Sequence, residues 1–221
     1  MAAKLVLIGA GEMAEIADEY FTHDSDYEVV AFAIERDYIK RPEVNEKPVV
    51  AYEELETLYP PSEYAVFVAI PSSQLNALRT RFYLDAKRKG YRLATYISSR
   101  AFVWRNAVIG ENCFIFENNV IQPFVTIGNN CILWSGNHVG HRTVIRDHNF
   151  VSSHVVISGY CEIGESCFLG VNSTLNDHVK VADHCVIGSG ALITKNTEPN
   201  RIYVGSGSKP VPGKLASETD I

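Results

Sequence analysis

The sequence lacks the features that define several broad classes of protein. Its 221 residues include five cysteines, an odd number with no CxxC pair, which excludes a zinc ribbon and argues against a disulfide framework. No apolar run approaches the roughly 18 residues that a membrane span requires. Lys and Arg total 20 against 26 Asp and Glu, for a net charge of −6. This acidic balance disfavours partners such as nucleic acid and anionic membrane.

The first residues also lack the pattern of a secretion signal. The start MAAKLVLIGAG has no small-residue cleavage site behind an apolar stretch and is typical of a strand that runs into a glycine turn. We therefore expect a cytoplasmic protein. Hydrophobic residues make up 46% of the chain and charged residues 21%, which indicates a folded chain rather than a disordered one.

Residues 1–96 alternate short apolar runs with amphipathic stretches, as in a parallel α/β sheet. The pattern predicts helices over residues 12–21 and 73–89, the second ended by Gly90. It predicts strands over 4–8, 27–34, 64–70 and 92–97. We interpret this half as a small Rossmann-like domain, too short to contain both mononucleotide-binding halves of a dinucleotide-binding unit.

The second half of the chain has a six-residue repeat. Every sixth position is aliphatic: Ile109, Ile115, Ile121, Ile127, Leu133, Val139, Ile145, Val151, Ile157, Ile163, Leu169, Leu175, Val181, Ile187 and Ile193. Ile97 and Val103 extend the series backwards. Such a period predicts a flat face of extended chain followed by a turn, with three faces forming a coil of about 18 residues that stacks on the next.

All five cysteines occupy one frame of this repeat, two residues before an aliphatic. The same frame holds Ala, Asn, Val, Thr and Ser, residues small enough for the interior of a narrow prism. A thiol behaves there as a small hydrophobe. We therefore predict a structural role for Cys113, Cys131, Cys161, Cys167 and Cys185.

Several segments together resemble a known family. They are Val6-Leu7-Ile8-Gly9-Ala10-Gly11, His138-Val139-Gly140-His141, residues 167–173, and Val204-Gly205 before Lys209-Pro210. With the glycines that follow many of the aliphatics, the chain resembles the hexapeptide-repeat sugar acyltransferases of the NeuD and PglD type. The resemblance implies an N-terminal Rossmann-like domain that binds a nucleotide-sugar (1–96), a left-handed parallel β-helix (97–198) and a C-terminal tail (199–221).

The resemblance implies an acetyl-CoA-dependent transferase. The expected reaction is N-acetylation of a nucleotide-linked amino sugar; the alternatives are O-acetylation of a sugar such as sialic acid, or a non-catalytic nucleotide-sugar-binding scaffold. His141 matches the family's general base, whose ordinary pKa suits proton transfer near neutral pH. Because residue n stacks over n+18, Gly159 is expected beside His141, where a family glycine amide holds the thioester oxygen.

Two positions depart from the family pattern. Arg142 stands where the family often has an acidic residue that orients the base, so the partner of His141 is expected to be Asp147, Asn137 or a group from a neighbouring subunit. Phe150 aligns with a second family histidine that is associated with the acyl-CoA. We expect the acyl-CoA near Phe150, Gly159 and a histidine at 148 or 154, with Lys209 on its 3′-phosphate.

The nucleotide-sugar is expected at the first glycine turn. Gly9, Gly11, Glu12 and Met13 open a helix whose free amides attract phosphate. Glu35 follows the second strand at the acidic position of dinucleotide sites. That spacing alone also suits NAD, but the missing second half favours a nucleotide-sugar.

His138 precedes the base and is expected to line the same substrate cleft. A metal site built on His138 and His141 lacks a third ligand, so no metal is predicted. We further expect a homotrimer with active sites at its interfaces, because flat prism faces are commonly covered by identical copies. The aromatic residues outside the inward frame are expected to contribute to that contact: Phe114, Phe116, Trp134 and Phe168.

Overall fold

A computed structural model describes residues 3–207 and residue 212. The N-terminal half contains a six-stranded sheet in the order β3-β4-β2-β1-β5-β6, in which only the β3–β4 pair is antiparallel. Its strands are β1 (Ala3–Ile8), β2 (Tyr27–Ile34), β3 (Glu43–Val44), β4 (Lys47–Ala51), β5 (Ala65–Val68) and β6 (Arg92–Leu93). The helices are α1 (Glu12–His23), α2 (Leu55–Leu58) and α3 (Ala77–Arg88), with 3₁₀ turns at Arg36–Tyr38 and Tyr52–Glu54.

Predicted and observed elements agree best around the central strands. β2 has the predicted bounds, and α1 starts where the helical spacing starts. Helix α3 begins four residues later than predicted, because Gln74, Leu75 and Asn76 have φ values of 52°, 51° and 68° and form a left-handed turn. The predicted strand over 92–97 is divided: β6 ends at Leu93, and the chain then enters the coils.

The C-terminal half winds through eighteen two-residue strands in the described residues, arranged in three parallel sheets. The first sheet contains β7 (Tyr96–Ile97), β10 (Phe114–Ile115), β13 (Ile132–Leu133), β16 (Phe150–Val151), β19 (Phe168–Leu169), β22 (Val186–Ile187) and β24 (Ile202–Tyr203). The second contains β8 (Phe102–Val103), β11 (Val120–Ile121), β14 (His138–Val139), β17 (Val156–Ile157), β20 (Thr174–Leu175) and β23 (Leu192–Ile193). The third contains β9 (Val108–Ile109), β12 (Thr126–Ile127), β15 (Val144–Ile145), β18 (Glu162–Ile163) and β21 (Lys180–Val181). Partners in each sheet are 18 residues apart, as in Val120 opposite His138, which fits the coil length predicted for a left-handed β-helix.

The predicted inward aliphatics form the core of this prism. Those from Ile115 to Ile187 are at most 2% exposed, and all five cysteines are buried and free, which confirms their structural placement. Ile97, which extends the series towards the N-terminus, is not part of the core, because its side chain is 40% exposed. It lies in the first coil, where no earlier coil covers the end of the prism.

Aromatic residues on the outer face of the first sheet contact the N-terminal domain of the same chain. Tyr20 of α1 lies 5.8 Å from Phe114 and 5.1 Å from Phe116 between ring centroids. Trp134 and Phe168 pack against the same buried cluster. The expectation of a contact between subunits is therefore wrong for Phe114 and Phe116, which α1 buries within one chain, whereas Trp134 and Phe168 are only partly buried.

A fully buried arginine on α3 also joins the two halves. Arg79 is 0% exposed and burial lowers its pKa to about 10. Its guanidinium donates to backbone carbonyls in both halves of the chain: those of Ile70, Pro71, Asn130, His148 and Asn149. Five fixed acceptors suit the planar array of guanidinium donors, whereas no carboxylate bonds to it among the described residues.

Candidate active site

The turns between coil strands have a regular left-handed residue, three positions after each inward aliphatic. Positive φ occurs at this position in fourteen successive turns: Asn112, Asn118, Phe124, Asn130, Gly136, Arg142, His148, His154, Tyr160, Ser166, Asn172, His178, His184 and Gly190. Asn, Gly and His are enriched in this conformation. Four of the histidines therefore have a structural reason for their positions, and Arg142 occupies a turn position as well.

His141 lies one position before this turn residue, two residues after the end of β14. Its backbone N–H donates to Gln122 Oε1 at 2.9 Å, and its Nδ1 lies 3.3 Å from the same oxygen. Gln122 directly follows β11, one coil earlier, and this contact was not predicted. The imidazole is exposed in the single chain, so it is open to a substrate or to a second subunit.

The imidazole of His141 lies against Gly159, as the 18-residue stacking predicts. A Cβ added at Gly159 would be 2.7 Å from Cε1 and 3.0 Å from Nε2 of His141. Glycine is thus the one residue that leaves room for the ring. The Gly159 N–H donates to Asp177 Oδ1 at 2.9 Å, so this amide already has an acceptor in the structure.

Neither side chain expected to orient His141 does so. Asp147 accepts hydrogen bonds from Asn129. Asn137 is 1% exposed and bonds to backbone groups of Trp134 and Val155. Both residues are engaged by neighbouring coils, and these expectations are wrong for the single chain.

Aromatic and cationic groups flank the His141 turn. The Tyr160 ring lies edge-on to His141 at 5.1 Å and stacks on His178 at 4.9 Å. The Arg142 guanidinium lies 4.4 Å from the centroid of the Phe124 ring, a favourable cation–π geometry. Position 142 is often acidic in the family that the chain resembles. Here it holds an arginine whose side chain stacks on Phe124, the turn residue of the preceding coil.

A cleft of about 1050 Å³ lies at the edge of the N-terminal sheet. Five predicted substrate residues line it: Gly9, Gly11, Glu12, Met13 and Glu35. Helix α1 begins there with Gly11 as N-cap and no side-chain cap, which leaves its first amides for a ligand. The Arg41 guanidinium donates to the Ala10 carbonyl at 3.3 Å beside this helix end and is paired with the Glu15 carboxylate of the same helix.

Glu35 is held by an ion pair at the opposite wall of the cleft. Arg81 of α3 donates to its two carboxylate oxygens at 3.0 and 3.1 Å. This hydrogen bonding raises the pKa of Arg81. A ligand that uses the Glu35 carboxylate, as a ribose does in dinucleotide sites, would have to share it with Arg81.

Other predicted site residues lie elsewhere. His138 is on the outer face of the second sheet and is not part of the cleft lining. Phe150 is 7% exposed and stacks on Phe168 at 5.5 Å, inside the cluster that contacts the N-terminal domain. Phe150 therefore has little surface left for the expected contact with acyl-CoA.

His148 and His154, which were expected to take the place of the family's second histidine near the acyl-CoA, differ in exposure. Burial lowers the pKa of His148, whose Nδ1 lies 3.0 Å from the Asn130 side-chain nitrogen. The exposed His154 lies against Gly136, where a Cβ would be 2.5 Å from its Nδ1. Lys209 lies outside the described residues.

The described part of the chain contains no group of three or more His, Cys, Asp or Glu placed to hold a metal ion. Among the same residues, no helix is both long and apolar enough to span a bilayer.

Comparison with known proteins identifies the repeat and the fold. Residues 106–141 and 160–195 match the family model described as bacterial transferase hexapeptide (six repeats). No curated protein matches the sequence of the whole chain. The hexapeptide repeat predicted from the sequence is thus confirmed.

Solved structures share the architecture of nearly the whole chain. The acetyltransferase domain of PglB from Neisseria gonorrhoeae FA1090 superimposes with a TM-score of 0.83 at 23% identity, covering 95% of this chain and 100% of that one. A histidine-to-asparagine mutant of perosamine N-acetyltransferase from Caulobacter crescentus, in complex with CoA and GDP-perosamine, gives 0.82 at 21% identity, covering 93% and 95%. WeeI from Acinetobacter baumannii AYE gives 0.57 at 18%, covering 91% and 96%. The chain therefore has the fold of hexapeptide-repeat acetyltransferases, as the NeuD and PglD resemblance predicted.

Proposed function

We propose that this chain is an acetyl-CoA-dependent acyltransferase that N-acetylates a nucleotide-linked amino sugar. The observation that supports this most directly is the placement of the His141 imidazole over Gly159, with Nδ1 facing Gln122 and Nε2 without a hydrogen-bond partner among the described residues. The shared fold adds weight, since similar structures are named as acetyltransferases and hold CoA, acetyl-CoA or GDP-perosamine.

In the proposed reaction, the amine nitrogen of the sugar attacks the thioester carbonyl of acetyl-CoA. Nε2 of His141 accepts the proton that the nitrogen loses, as a neutral imidazole can near neutral pH. The tetrahedral intermediate collapses with cleavage of the C–S bond, and the imidazolium returns the proton to the CoA sulfur. The products are the N-acetyl sugar and CoA, and no covalent enzyme intermediate is required.

The oxyanion of that intermediate needs a donor beside His141. We propose the Gly159 N–H, which would have to share or exchange its present hydrogen bond to Asp177. A single donor of this kind contributes about 2.7–4 kcal/mol in other acyl-transfer sites. Holding the two substrates together supplies a further part of the rate increase.

The nucleotide part of the acceptor is assigned to the cleft of the N-terminal domain. Uncapped amides at the start of α1 suit a diphosphate, and Glu35 with Arg81 suits the polar edge of a ribose or base. A cleft of about 1050 Å³ is large enough for such a ligand. In this proposal the α/β domain acts as a Rossmann-like nucleotide-sugar module rather than an NAD site.

The cleft and His141 are on different parts of a single chain, since Trp134 is the one coil residue in the cleft lining. We therefore propose a homotrimer in which acetyl-CoA lies between neighbouring coils and the acceptor reaches from one chain's cleft to the next chain's His141. The half-buried His138 and the exposed His154 are the candidates for contacts along that path, with Lys209 for the CoA 3′-phosphate.

The test is release of free CoA thiol from acetyl-CoA with a panel of dTDP-, UDP- and GDP-linked 4-amino sugars, with free sialic acid included as a hydroxyl acceptor. Because the five cysteines are buried, their contribution to the thiol reading should be small. We expect turnover with an amino sugar, abolished by His141→Asn and retained by His184→Asn, an exposed turn histidine remote from Gly159. Turnover with sialic acid alone would identify an O-acetyltransferase. No turnover with any pair would support the scaffold.

A further inference from the structure

The hydrogen-bond ladder of the coil turns explains why Gln122 contacts His141. In four turns, the backbone N–H two positions after an inward aliphatic donates to a side chain 18 residues later. The pairs are Glu111–Asn129 at 3.0 Å, Asn129–Asp147 at 2.7 Å, Gly159–Asp177 at 2.9 Å and Glu165–Asp183 at 2.8 Å. Each residue with a short polar side chain thus satisfies the amide of the preceding coil.

At His141 this acceptor is missing. The residue 18 positions later is Gly159, which has no side chain, and any Cβ there would collide with the imidazole. The His141 amide is satisfied instead from the preceding coil, by Gln122 Oε1 at 2.9 Å. Glycine at position 159 leaves room for the ring but cannot supply the acceptor found in those four turns, and the longer amide side chain of Gln122 supplies it instead.

The geometry also determines which atom of Gln122 faces the ring. A backbone N–H can only donate, so the atom 2.9 Å from it must be the amide oxygen and not the amide nitrogen. The same oxygen lies 3.3 Å from His141 Nδ1. An oxygen acceptor favours the tautomer with a proton on Nδ1 and a lone pair on Nε2, the form a general base requires.

We propose that Gln122 is the positioning residue that sets the tautomer and orientation of His141, in place of the acidic partner that Arg142 replaces. It acts through His141 and does not touch the reacting atoms. This inference uses the proposed function for its kinetic readout only, since the tautomer is measured in the free protein.

The test compares three variants. Gln122→Met keeps a similar length and removes the acceptor; Gln122→Glu keeps an acceptor oxygen. Asn106→Leu is the matched control, because Asn106 Oδ1 accepts the Phe124 N–H at 2.9 Å in the same corner of the coils without contacting His141. In each ¹⁵N-histidine-labelled protein, the side-chain nitrogen shifts of His141 are assigned by their loss in His141→Asn.

We expect the Nδ1-protonated form to predominate in the unmodified chain, in Gln122→Glu and in Asn106→Leu, and to lose its predominance in Gln122→Met. With the best acceptor of the panel, kcat of Gln122→Met should fall about 10–100-fold, by analogy with the loss seen when the hydrogen-bond partner of a metal-ligating histidine is removed. KM should stay within about twofold, and Gln122→Glu should restore most of kcat.

The inference is overturned if Gln122→Met keeps the Nδ1-protonated form, whatever its activity, or if the unmodified chain carries the proton on Nε2. If Gln122→Met does not fold, loss of the Nδ1-protonated form in Gln122→Glu overturns it equally. A panel without turnover would count against the proposed function and leave the tautomer result to decide this inference separately.

Discussion

At the scale of single residues, the site depends on one missing side chain. Gly159 is not in the left-handed region, so its substitution adds no backbone strain, and the clash would be with the movable imidazole rather than with backbone. The position of this glycine could be predicted because residues 18 positions apart in the sequence stack on one another in successive coils. The role of Gln122 was not predictable in that way, since its contact depends on how a long side chain bends between two coils.

Gly159→Ala should therefore reduce activity far more than stability. Its Cβ would displace the His141 ring from the present position, and misplacement of a catalytic group by about 1 Å can cost roughly 100-fold in rate. We expect kcat to fall by about that factor while the melting temperature changes little. Gly207→Ala, where a Cβ meets no atom within 4 Å, is the control. Full activity in Gly159→Ala would contradict the proposal that catalysis requires the His141 ring to lie against residue 159.

At the scale of elements, two of the contacts that hold the N-terminal helices on the coils, those of Arg79 and Asp24, have no sequence signal. Arg79 and Asp24 lie at ordinary positions for charged residues on and after amphipathic helices. What makes them structural is the surface of the first coil sheet opposite them, which supplies carbonyls to Arg79 and donors to Asp24. The spacing of apolar residues predicts that these helices form, but it does not predict which surface they pack against.

Arg79→Met should destabilise the chain by at least about 3 kcal/mol. It leaves several buried carbonyls without donors, and each such group costs about 1–3 kcal/mol. Arg79→Lys should recover only part of the loss, since an ammonium lacks the planar array of donors. Urea unfolding measures both, with the exposed Arg88→Met on the same helix as control. A loss below about 1 kcal/mol would show that the buried arginine is dispensable.

Asp24, which caps the end of α1, should make stability depend on pH in the acid range. Hydrogen bonds from Ser99 and Tyr96 lower its pKa to about 2, below the ordinary value of 3.8. The folded state thus favours the ionised form, so its contribution is present above about pH 4 and is lost as the pH falls towards 2. The melting temperature of Asp24→Asn should fall less between pH 5 and 3 than that of the unmodified chain. Parallel curves would exclude this linkage.

At the scale of the whole molecule, the single chain leaves its two candidate sites apart. The outer face of the second coil sheet keeps apolar groups exposed, with Phe102 at 52% and Leu192 at 62%. These residues, unlike Phe114 and Phe116 under α1, are available to contact another copy. Sedimentation velocity should show a species of three chains, and a monomer at micromolar concentration would contradict both the trimer and the shared site.

Mixed trimers test the sharing directly. Chains with His141→Asn are inactive in the proposal, and Arg81→Glu should block the cleft by breaking the pair with Glu35 and repelling a diphosphate. Refolding the two variants together should restore measurable turnover, because some sites would combine an intact cleft with an intact His141. Restoration would be absent if each chain used its own cleft.

The sequence by itself determined the coil architecture, the inward aliphatics and buried thiols, and the stacking of His141 on Gly159. These follow from a fixed period, and a period in sequence becomes a period in space once each turn closes after six residues. The tertiary structure alone decided that Phe114 and Phe116 lie under α1, that Arg79 is buried, and that Gln122 faces His141. These features depend on how the surfaces of different elements pack together. Residues that meet in this way are not separated by a regular interval in the sequence.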